Sequence, residues 1–253
     1  MYFFVIYNTM ESKNAAMRRF GALFTGGKDS TYSILLARML GEVVCVINAD
    51  SENKDSYMFH TIGSNLLSDQ AEALGLPLER FHTHGEKEKE LLDLEDFLAK
   101  VKDKYNLDGI VSGAIASSYQ KSRVDKICSK LKLSSIAPLW GINQEEYLKT
   151  LVNSGFKIII IKVSAEGLGK EWLGRVLDEK SIDELIVYRK KYGINVAGEG
   201  GEYESLVIDC PIFSKELKIV NSSTVWNDKE RIGYLEIKQI VSLPKHGVSF
   251  NLH

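Results

Sequence analysis

The stretch FTGGKDS (residues 24–30) places two glycines, a lysine and an aspartate directly after the apolar run from Phe20 to Phe24. A Walker phosphate loop would need a glycine, four further residues and then Gly-Lys-Ser or Gly-Lys-Thr. Here Ala22 stands where the first glycine of that pattern belongs, and Asp29 stands where its hydroxyl belongs. The stretch is therefore a different kind of glycine turn, and its position predicts a strand before it and a helix after it.

Such a turn can bind phosphate, because backbone N–H groups at the start of a helix form an anion site to which the helix dipole adds. We expect Gly26 and Gly27 to allow close approach of the backbone to phosphate oxygens through their conformational freedom. Lys28 supplies a positive charge, whereas Asp29 would repel bare phosphate unless it held a Mg²⁺ ion. Thr25 and Ser30 add hydroxyl donors. The competing interpretation is an ordinary glycine turn with an N-capping Asp or Ser.

Composition describes an ordinary globular protein of 253 residues, with 44% hydrophobic and 26% charged residues. That length is enough for one large domain or two small ones, and we expect two. The formal net charge of -2 removes the broad positive surface typical of tRNA and DNA binders. Nucleic acid is thus not an expected partner, although the net charge does not exclude a local basic patch.

The cysteines Cys45, Cys128 and Cys210 lie far apart and form no Cys-x-x-Cys pair. This spacing favours neither a disulfide framework nor a thiolate metal site, and it predicts a reducing, cytoplasmic setting. The apolar segment MYFFVIY (residues 1–7) is too short for a membrane span, so no membrane association is expected. We interpret residues 1–16 as an N-terminal extension.

The first half of the chain alternates strand-like runs with helical patterns, which predicts parallel β-α-β units. The helical spacing is clearest in the set Leu91, Leu94, Leu98, Val101 and Tyr105. The predicted strands are Phe20 to Phe24, Glu42 to Ala49, Glu79 to His84, Gly109 to Ile115 and Lys157 to Val163.

The second half changes character after about residue 165. Two helical segments, Lys170 to Leu177 and Ile182 to Tyr192, precede a glycine-rich turn and three extended runs that predict an antiparallel or mixed sheet. We therefore divide the chain into a nucleotide domain over residues 17–138 and a smaller α+β domain over residues 139–253.

The loop at residues 25–30 resembles the SGGKDS pyrophosphate loop of the N-type ATP pyrophosphatases, with Thr25 in place of the usual serine. The resemblance implies a parallel-sheet, HUP-like α/β domain that resembles the adenine nucleotide alpha hydrolases. In that superfamily the loop holds the β and γ phosphates of ATP as the leaving pyrophosphate, so the α phosphate is attacked and AMP is formed.

Two further segments, GAIASSYQKSRVDKICSKLKLSSIAPLWG (residues 113–141) and GEGGEYES (residues 198–205), resemble the diphthine-ammonia ligase family. SYMFH (residues 56–60) and QAEALGLPL (residues 70–78) match as well, so the likeness covers about residues 20 to 210. The family adenylates the diphthine carboxylate of translation elongation factor 2 and then amidates it with ammonium. The resemblance therefore implies ATP, Mg²⁺, ammonium and that elongation factor as ligands and partners.

The resemblance also assigns roles near the nucleotide. Lys28 and Mg²⁺-bound Asp29 would neutralise and align the reacting phosphates as catalytic residues. Asn48, His60 and Gly113 would lie near the nucleotide, at or beyond the ends of their strands.

Tyr119 and Arg123 are four residues apart and share a face of a predicted helix that Ser117 or Ser118 could cap. Spacing alone is equally typical of a solvated amphipathic helix. With the resemblance, Arg123 is assigned to a phosphate or carboxylate as a catalytic residue, and Tyr119 and Gln120 are assigned to the substrate.

The segment GEGGEYES is, on its residues alone, typical of a hairpin turn whose glycines take positive φ. Diphthine carries a quaternary ammonium group, however, and carboxylates and an aromatic ring suit cations. With the resemblance we assign acceptor binding to the six residues Glu199, Gly200, Gly201, Glu202, Tyr203 and Glu204.

Two alternatives remain open from the sequence. One is a tRNA-modifying ATPase with the same kind of loop, whose sulfur-transferring members commonly use cysteines and basic RNA surfaces. The other is a module that senses ATP without turning it over. The sequence also leaves open whether the chain forms a homodimer.

Overall fold

The computed structural model describes residues 16–51, 64–83 and 89–245. Most of the predicted N-terminal extension (residues 1–16) and the predicted nucleotide residue His60 therefore lie outside the described residues, and both stay predictions.

The first sheet has five parallel strands in the order β3-β2-β1-β4-β5. Its strands are β1 (Arg19–Leu23), β2 (Glu42–Ser51), β3 (Leu78–Thr83), β4 (Gly109–Val111) and β5 (Ser134–Ile136). The helices of this part are α1 (Lys28–Ala37), α2 (Ser64–Leu74), α3 (Lys89–Tyr105) and α4 (Ser118–Lys130). The expected parallel α/β domain is confirmed.

The helical spacing in the sequence corresponds to buried faces. Leu94, Leu98 and Val101 of α3 are all at most 2% exposed and pack in one cluster with Cys45 and Ile47 of β2. The apolar stripe that predicted this helix is thus the face by which it covers the sheet.

The second part of the chain forms a four-stranded antiparallel sheet in the order β7-β6-β9-β8. Its elements are α5 (Gln144–Asn153), β6 (Lys157–Val163), a 3-10 helix (Lys170–Trp172), α6 (Glu179–Tyr192), β7 (Tyr203–Asp209), β8 (Lys215–Asn227) and β9 (Ile232–Pro244). The predicted smaller α+β part is confirmed.

The predicted fifth strand was assigned to the wrong sheet. Lys157–Val163 is β6 of the antiparallel sheet, and the fifth parallel strand is the three-residue β5. The sequence KIIIIKV resembles a parallel strand because both of its faces are buried: Ile158 and Ile160 contact the main core, and Ile159 and Ile161 belong to a second cluster.

One strand boundary and two helices also differ from the predictions. The fourth strand ends at Val111, before the predicted Ile115, because the chain leaves the sheet toward α4. The predicted helix Lys170 to Leu177 is only a single 3-10 turn, and α5 was not predicted at all.

One hydrophobic cluster joins the two sheets. It contains Phe20 and Val111 of the first sheet together with Ile158 and Val207 of the second. The cluster runs across the predicted domain border at residues 138 and 139, which stays a prediction. Because of this shared core, β7 lies directly against the loop that follows β1.

Within the part of the chain that the structure describes, no helix combines the length and the apolar character needed to cross a membrane.

Candidate active site

The site lies where the order of the parallel strands reverses. From β1 the chain builds outward through β2 and β3, and it then returns to place β4 on the other side of β1. The loops that leave the carboxyl ends of β1 and β4 therefore run in opposite directions, and ligands bind in the crevice between such loops. A cavity of about 230 Å³ occupies this crevice.

Gly26 gives the loop after β1 its shape. Its φ is 77°, a conformation that favours glycine, and an added Cβ would lie 2.2 Å from Gln70 Oε1. Its carbonyl oxygen accepts hydrogen bonds from Gln70 Nε2 at 2.9 Å and from the Val207 backbone N–H at 3.1 Å. The loop is thus held from α2 on one side and from β7 on the other.

Gly27 begins helix α1 without a side-chain cap. In contrast, Ser117 caps α4 and Asn143 caps α5 through side-chain oxygens. The N-cap residue of α1 thus supplies no capping side chain of its own, and the dipole at this helix start favours an anion. The φ of Gly27 is -78°, so the expected conformational freedom is not used here; an added Cβ would lie 3.2 Å from the Ser205 carbonyl oxygen.

Lys28 is only 2% exposed, and most of its contacts come from the second half of the chain. Its ammonium group donates to the Ala197 carbonyl oxygen at 2.6 Å and lies 5.2 Å from the centroid of the Tyr203 ring. It also pairs with Asp29 Oδ2 at 2.9 Å, and its backbone N–H donates to Ser205 Oγ at 3.2 Å. The second half of the chain thus fixes the positive charge of the phosphate loop.

Asp29 has both carboxylate oxygens in use. Oδ1 accepts a hydrogen bond from the Tyr147 hydroxyl at 2.7 Å, and Oδ2 accepts from Lys28. Among the described residues there is no group of three or more histidines, cysteines or acids that could hold a metal ion. A single carboxylate together with phosphate oxygens is nevertheless how proteins usually bind Mg²⁺, so Asp29 fits that ion.

The remaining residues around the nucleotide crevice are tightly packed. Thr25 Oγ1 and Ser30 Oγ lie 3.2 Å apart, and Ser30 Oγ also contacts the Thr25 backbone N–H at 3.3 Å. Asn48, 4% exposed, donates from Nδ2 to the Phe24 carbonyl oxygen at 2.9 Å. At Gly113 an added Cβ would lie 2.8 Å from the Ser30 backbone nitrogen, so the contact with α1 already requires glycine there.

Glu199 reaches from the second half of the chain into the loop after β4. Its two carboxylate oxygens accept from the backbone N–H groups of Ile115 at 3.1 Å and Ala116 at 3.4 Å. Burial, and then the nearby charge of Asp29, raises the pKa of the Glu199 carboxyl, although both backbone hydrogen bonds oppose the shift. The charges of Glu199 and Asp29 therefore repel one another in this cavity, and the Lys28 ammonium partly offsets that repulsion.

The other two glutamates of this loop have different partners. Glu202 accepts from the backbone N–H groups of Asn195 and Gly200, both at 2.8 Å, and so it holds its own loop in shape. Glu204 forms an ion pair with Lys162 at 2.7 Å. Acceptor binding by Glu202 stays a prediction, but its observed contacts are those of a loop-forming residue.

Tyr203 is 3% exposed and donates its hydroxyl to the Val196 carbonyl oxygen at 2.8 Å. The cation near its ring is Lys28, so binding of a quaternary ammonium group by this ring stays a prediction. Gly198 and Gly201 have the positive φ expected of the turn, 75° and 84°, but the turn joins α6 to β7 and is not a hairpin.

Tyr119 and Arg123 share one face of α4 as expected. The Arg123 guanidinium carbon lies 3.3 Å from the centroid of the Tyr119 ring, and Nη1 donates to the Tyr119 carbonyl oxygen at 3.5 Å. Arg123 Nε is buried with no hydrogen-bond partner among the described residues. Of the three residues predicted on this helix, Gln120 is the one that lines the cavity.

Most of the predicted site residues meet in this one cavity. The predicted residues that line it are Thr25, Gly27, Lys28, Asp29, Ser30, Asn48, Gly113, Gln120, Glu199, Gly201, Tyr203 and Glu204. The predicted residues outside the lining, within the part of the chain described, are Gly26, Tyr119, Arg123, Gly200 and Glu202.

Sequence reasoning missed several residues of the site. Ser112 lines the cavity, and its buried hydroxyl has no hydrogen-bond partner among the described residues. Ser112 could have been found as the neighbour of Gly113, and Ser205 as the last residue of GEGGEYES. Gln70 could have been found as the first residue of QAEALGLPL, whereas Tyr147 carried no such signal because it lies on α5, which was not predicted.

The parallel sheet, the reversal of its strand order and the glycine loop with its lysine and aspartate define an ATP pyrophosphatase of the PP-loop class. The family model of the diphthamide synthase N-terminal domain matches residues 18–135, and that of the diphthamide synthase C-terminal domain matches residues 143–243. The chain therefore belongs to the diphthamide synthase family.

Curated relatives match this chain over most of their length. The chain is 36% identical over 245 residues to the diphthine–ammonia ligase of Mus musculus, with 88% of this chain and 91% of the relative covered. It is 40% identical over 227 residues to the diphthine–ammonia ligase of Homo sapiens, with 82% and 84% covered.

A solved structure also resembles the chain. It is described as a predicted subunit of tRNA methyltransferase from Methanocaldococcus jannaschii DSM, is 16% identical and has a TM-score of 0.43. The match covers 77% of this chain and 98% of that chain, and at this score it carries no weight for function.

Proposed function

We propose that this chain is an ATP-dependent amide ligase that converts diphthine on translation elongation factor 2 to diphthamide. ATP activates the diphthine carboxylate, ammonium supplies the nitrogen, and AMP and pyrophosphate are released. The observation that carries the proposal is that one cavity joins the phosphate loop to the glutamate loop of the second half. Relatives that are 36% and 40% identical are diphthine–ammonia ligases.

The chemistry requires two bond exchanges. A carboxylate oxygen of the acceptor attacks the α phosphorus, the bond between the α and β phosphates breaks, and pyrophosphate leaves. Ammonia then attacks the acyl carbon, the bond from that carbon to the AMP oxygen breaks, and AMP leaves with the electron pair. The nitrogen releases its surplus protons, and the amide remains on the protein.

The phosphate loop supplies what the first exchange needs. The start of α1 and the Lys28 ammonium stabilise the negative charge that develops on the departing pyrophosphate. Lys28 now donates to Ala197 and Asp29, so phosphate oxygens would replace those acceptors. Thr25 and Ser30 line the same cavity and offer hydroxyl donors to the phosphates.

We assign Mg²⁺ to Asp29. When bound, the ion would neutralise phosphate charge and polarise the α phosphate for attack. The chain's own contribution is to hold the carboxylate in place, with one oxygen hydrogen-bonded to Tyr147.

We place the nucleoside beside Asn48, Ser112 and Gly113, at the carboxyl ends of β2 and β4. Asn48 is buried and hydrogen-bonded to the phosphate loop, and Ser112 offers a buried hydroxyl without a protein partner among the described residues. His60 is kept as a proposed contact from outside the described residues.

We place the acceptor and ammonium on the side of the cavity formed by the second half. Glu199 is the first choice for binding ammonium, which loses a proton to give the nucleophilic ammonia, because Glu199 lines the cavity and burial disfavours its charge there. Gln120 of α4 and Glu204 of β7 line the same cavity, and Tyr119 and Arg123 lie on the Gln120 helix as proposed contacts for the acceptor. Arg123 is suited to a carboxylate or phosphate by its planar guanidinium.

The three cysteines argue against the alternative of a sulfur-transferring tRNA enzyme. All three are buried, and burial raises the pKa of Cys45 and Cys210 to about 12 and that of Cys128 to about 11. A thiol in such surroundings is a poor nucleophile. We also propose a cytoplasmic location, because there the ligase would meet an elongation factor.

The test is a product analysis with elongation factor 2 that carries diphthine. The proposal predicts acceptor-dependent release of AMP and pyrophosphate, and amidation of the acceptor as seen by mass spectrometry. Release of ADP and orthophosphate would contradict it, and ATP binding without any turnover would favour the sensing module.

A further inference from the structure

Tyr147 contacts the phosphate loop from outside it. The residue lies on α5, is 0% exposed, and donates its hydroxyl to Asp29 Oδ1 at 2.7 Å. Its ring packs 5.8 Å from that of Tyr32, which lies on α1 with Asp29. The contact therefore links the carboxylate of the first half to a side chain that cannot turn toward solvent.

The two oxygens of Asp29 consequently differ. The partner of Oδ2 is Lys28, a charged group that phosphate oxygens would draw away from the carboxylate. The partner of Oδ1 is the hydroxyl of the fully buried Tyr147, a neutral hydrogen-bond donor.

We propose that Tyr147 is a positioning residue that holds Asp29 Oδ1 and thereby presents Oδ2 to the Mg²⁺ of bound ATP. This inference rests on the proposed function, because it assumes that Asp29 meets the metal. Side chains that orient a metal ligand in this way typically contribute about 10- to 100-fold to metal affinity or activity.

The experiment uses Tyr147→Phe, which removes the hydroxyl and keeps the ring. The dissociation constant of α,β-methylene ATP is measured by calorimetry over a series of Mg²⁺ concentrations, so that no turnover is needed. Tyr32→Phe is the matched control, since it removes another tyrosine hydroxyl from the same cluster whose partner is Ser154 and not Asp29. Asp29→Asn is measured in parallel, and thermal unfolding is recorded for each variant.

We expect Tyr147→Phe to raise the Mg²⁺ concentration at half-saturation by about 10- to 100-fold, and Tyr32→Phe to leave it unchanged. In turnover, Tyr147→Phe should lower kcat at limiting Mg²⁺ and recover at saturating Mg²⁺. A merely structural role would instead lower the unfolding temperature without moving the Mg²⁺ midpoint, and that result would overturn the inference.

The Asp29→Asn variant separates the metal role of Asp29 from the positioning role of Tyr147. If Asp29→Asn shifts the Mg²⁺ midpoint and Tyr147→Phe does not, the positioning role is wrong while the metal role of Asp29 stands. If neither variant shifts it, the metal role of Asp29 is wrong, and the role of Tyr147 is wrong with it.

Discussion

Two glycine-rich loops line the cavity, and they differ in what their charged side chains bind. In the loop at residues 24–30, the charged side chains are held by groups from elsewhere, such as the Ala197 carbonyl oxygen and the Tyr147 hydroxyl. In the loop at residues 198–205, Glu199 and Glu202 accept hydrogen bonds from backbone N–H groups of the loop itself and of its neighbours. The first loop therefore starts a helix whose dipole favours an anion. In the second loop, Glu199 and Glu202 are themselves the anions, and they already bind backbone N–H groups.

The difference explains how one cavity can serve ligands of opposite charge. Triphosphate is attracted to the start of α1 and to Lys28, and it is repelled by Glu199. Ammonium, the cation from which the nucleophilic ammonia forms, has the reverse preference. Under the proposed function, the loop at residues 24–30 would bind the triphosphate and Glu199 would bind ammonium, with the reacting groups between them.

Lys28→Ala gives the largest expected effect and tests the anionic side of this comparison. We expect kcat for pyrophosphate release to fall by about 100- to 1000-fold, the usual cost of removing one donor that stabilises developing negative charge. The measurement is steady-state pyrophosphate release, with the exposed Lys130→Ala as the control. Full turnover by a folded Lys28→Ala protein would show that the loop does not act through this charge.

Glu199→Gln tests the cationic side. Loss of a hydrogen bond to a charged group costs about 1.5 to 3 kcal/mol, so we expect the KM for ammonium to rise about 10- to 100-fold. Hydroxylamine is a neutral nucleophile at neutral pH and should still be used well, because it does not depend on the carboxylate.

Amide and hydroxamate formation are measured side by side for this variant. Glu184→Gln is the control, since Glu184 is paired with Arg175 and lies outside the cavity lining. An equal loss with both nucleophiles would mean that Glu199 supports the site without receiving ammonium.

Gly26→Ala and Gly201→Ala sharpen the comparison of how the two loops are packed. Both glycines have positive φ, so each substitution should cost roughly 1 to 2 kcal/mol of backbone strain. An added Cβ meets Gln70 at residue 26, whereas at residue 201 nothing lies within 4 Å. We expect Gly26→Ala to lower the free energy of unfolding by a further 1 to 3 kcal/mol or so, as overpacking does. Equal denaturation midpoints for the two variants would indicate that Gln70 does not pack tightly against Gly26.

Glu202→Gln gives the smallest expected effect and distinguishes loop formation from substrate binding. Since its carboxylate accepts two backbone N–H groups, we expect the free energy of unfolding to fall by about 1 to 2 kcal/mol with ATP affinity retained. The checks are a denaturant titration and ATP calorimetry. Lost amidation at unchanged stability would instead mean that Glu202 contacts the acceptor directly.

The parallel sheet was predictable because its longer strands and helices have strong hydrophobic periodicity, as in α3. The loop was predictable because strand, glycines, lysine and helix follow one another within a few residues. β5 was missed because three residues are too few to carry a pattern, and β6 was misassigned because burial on both faces hides the direction of pairing.

The supporting contacts of the site could not be predicted from local sequence. Tyr147 and Asp29 are separated by 118 positions, and Gln70 and Val207 by 137. Each pair meets only because the second sheet shares a core with the first. The expected role of the Tyr203 ring also depends on this packing, which places Lys28 beside the ring.

The central claim is that the acceptor carboxylate is adenylated, and an oxygen transfer measures this directly. Elongation factor 2 with an oxygen-18-labelled diphthine carboxylate is incubated with ATP, Mg²⁺, ammonium and the enzyme, and the nucleotide products are examined by mass spectrometry. The mechanism predicts that the AMP formed carries one labelled oxygen and that the pyrophosphate carries none. Unlabelled AMP, or ADP with labelled orthophosphate, would contradict it.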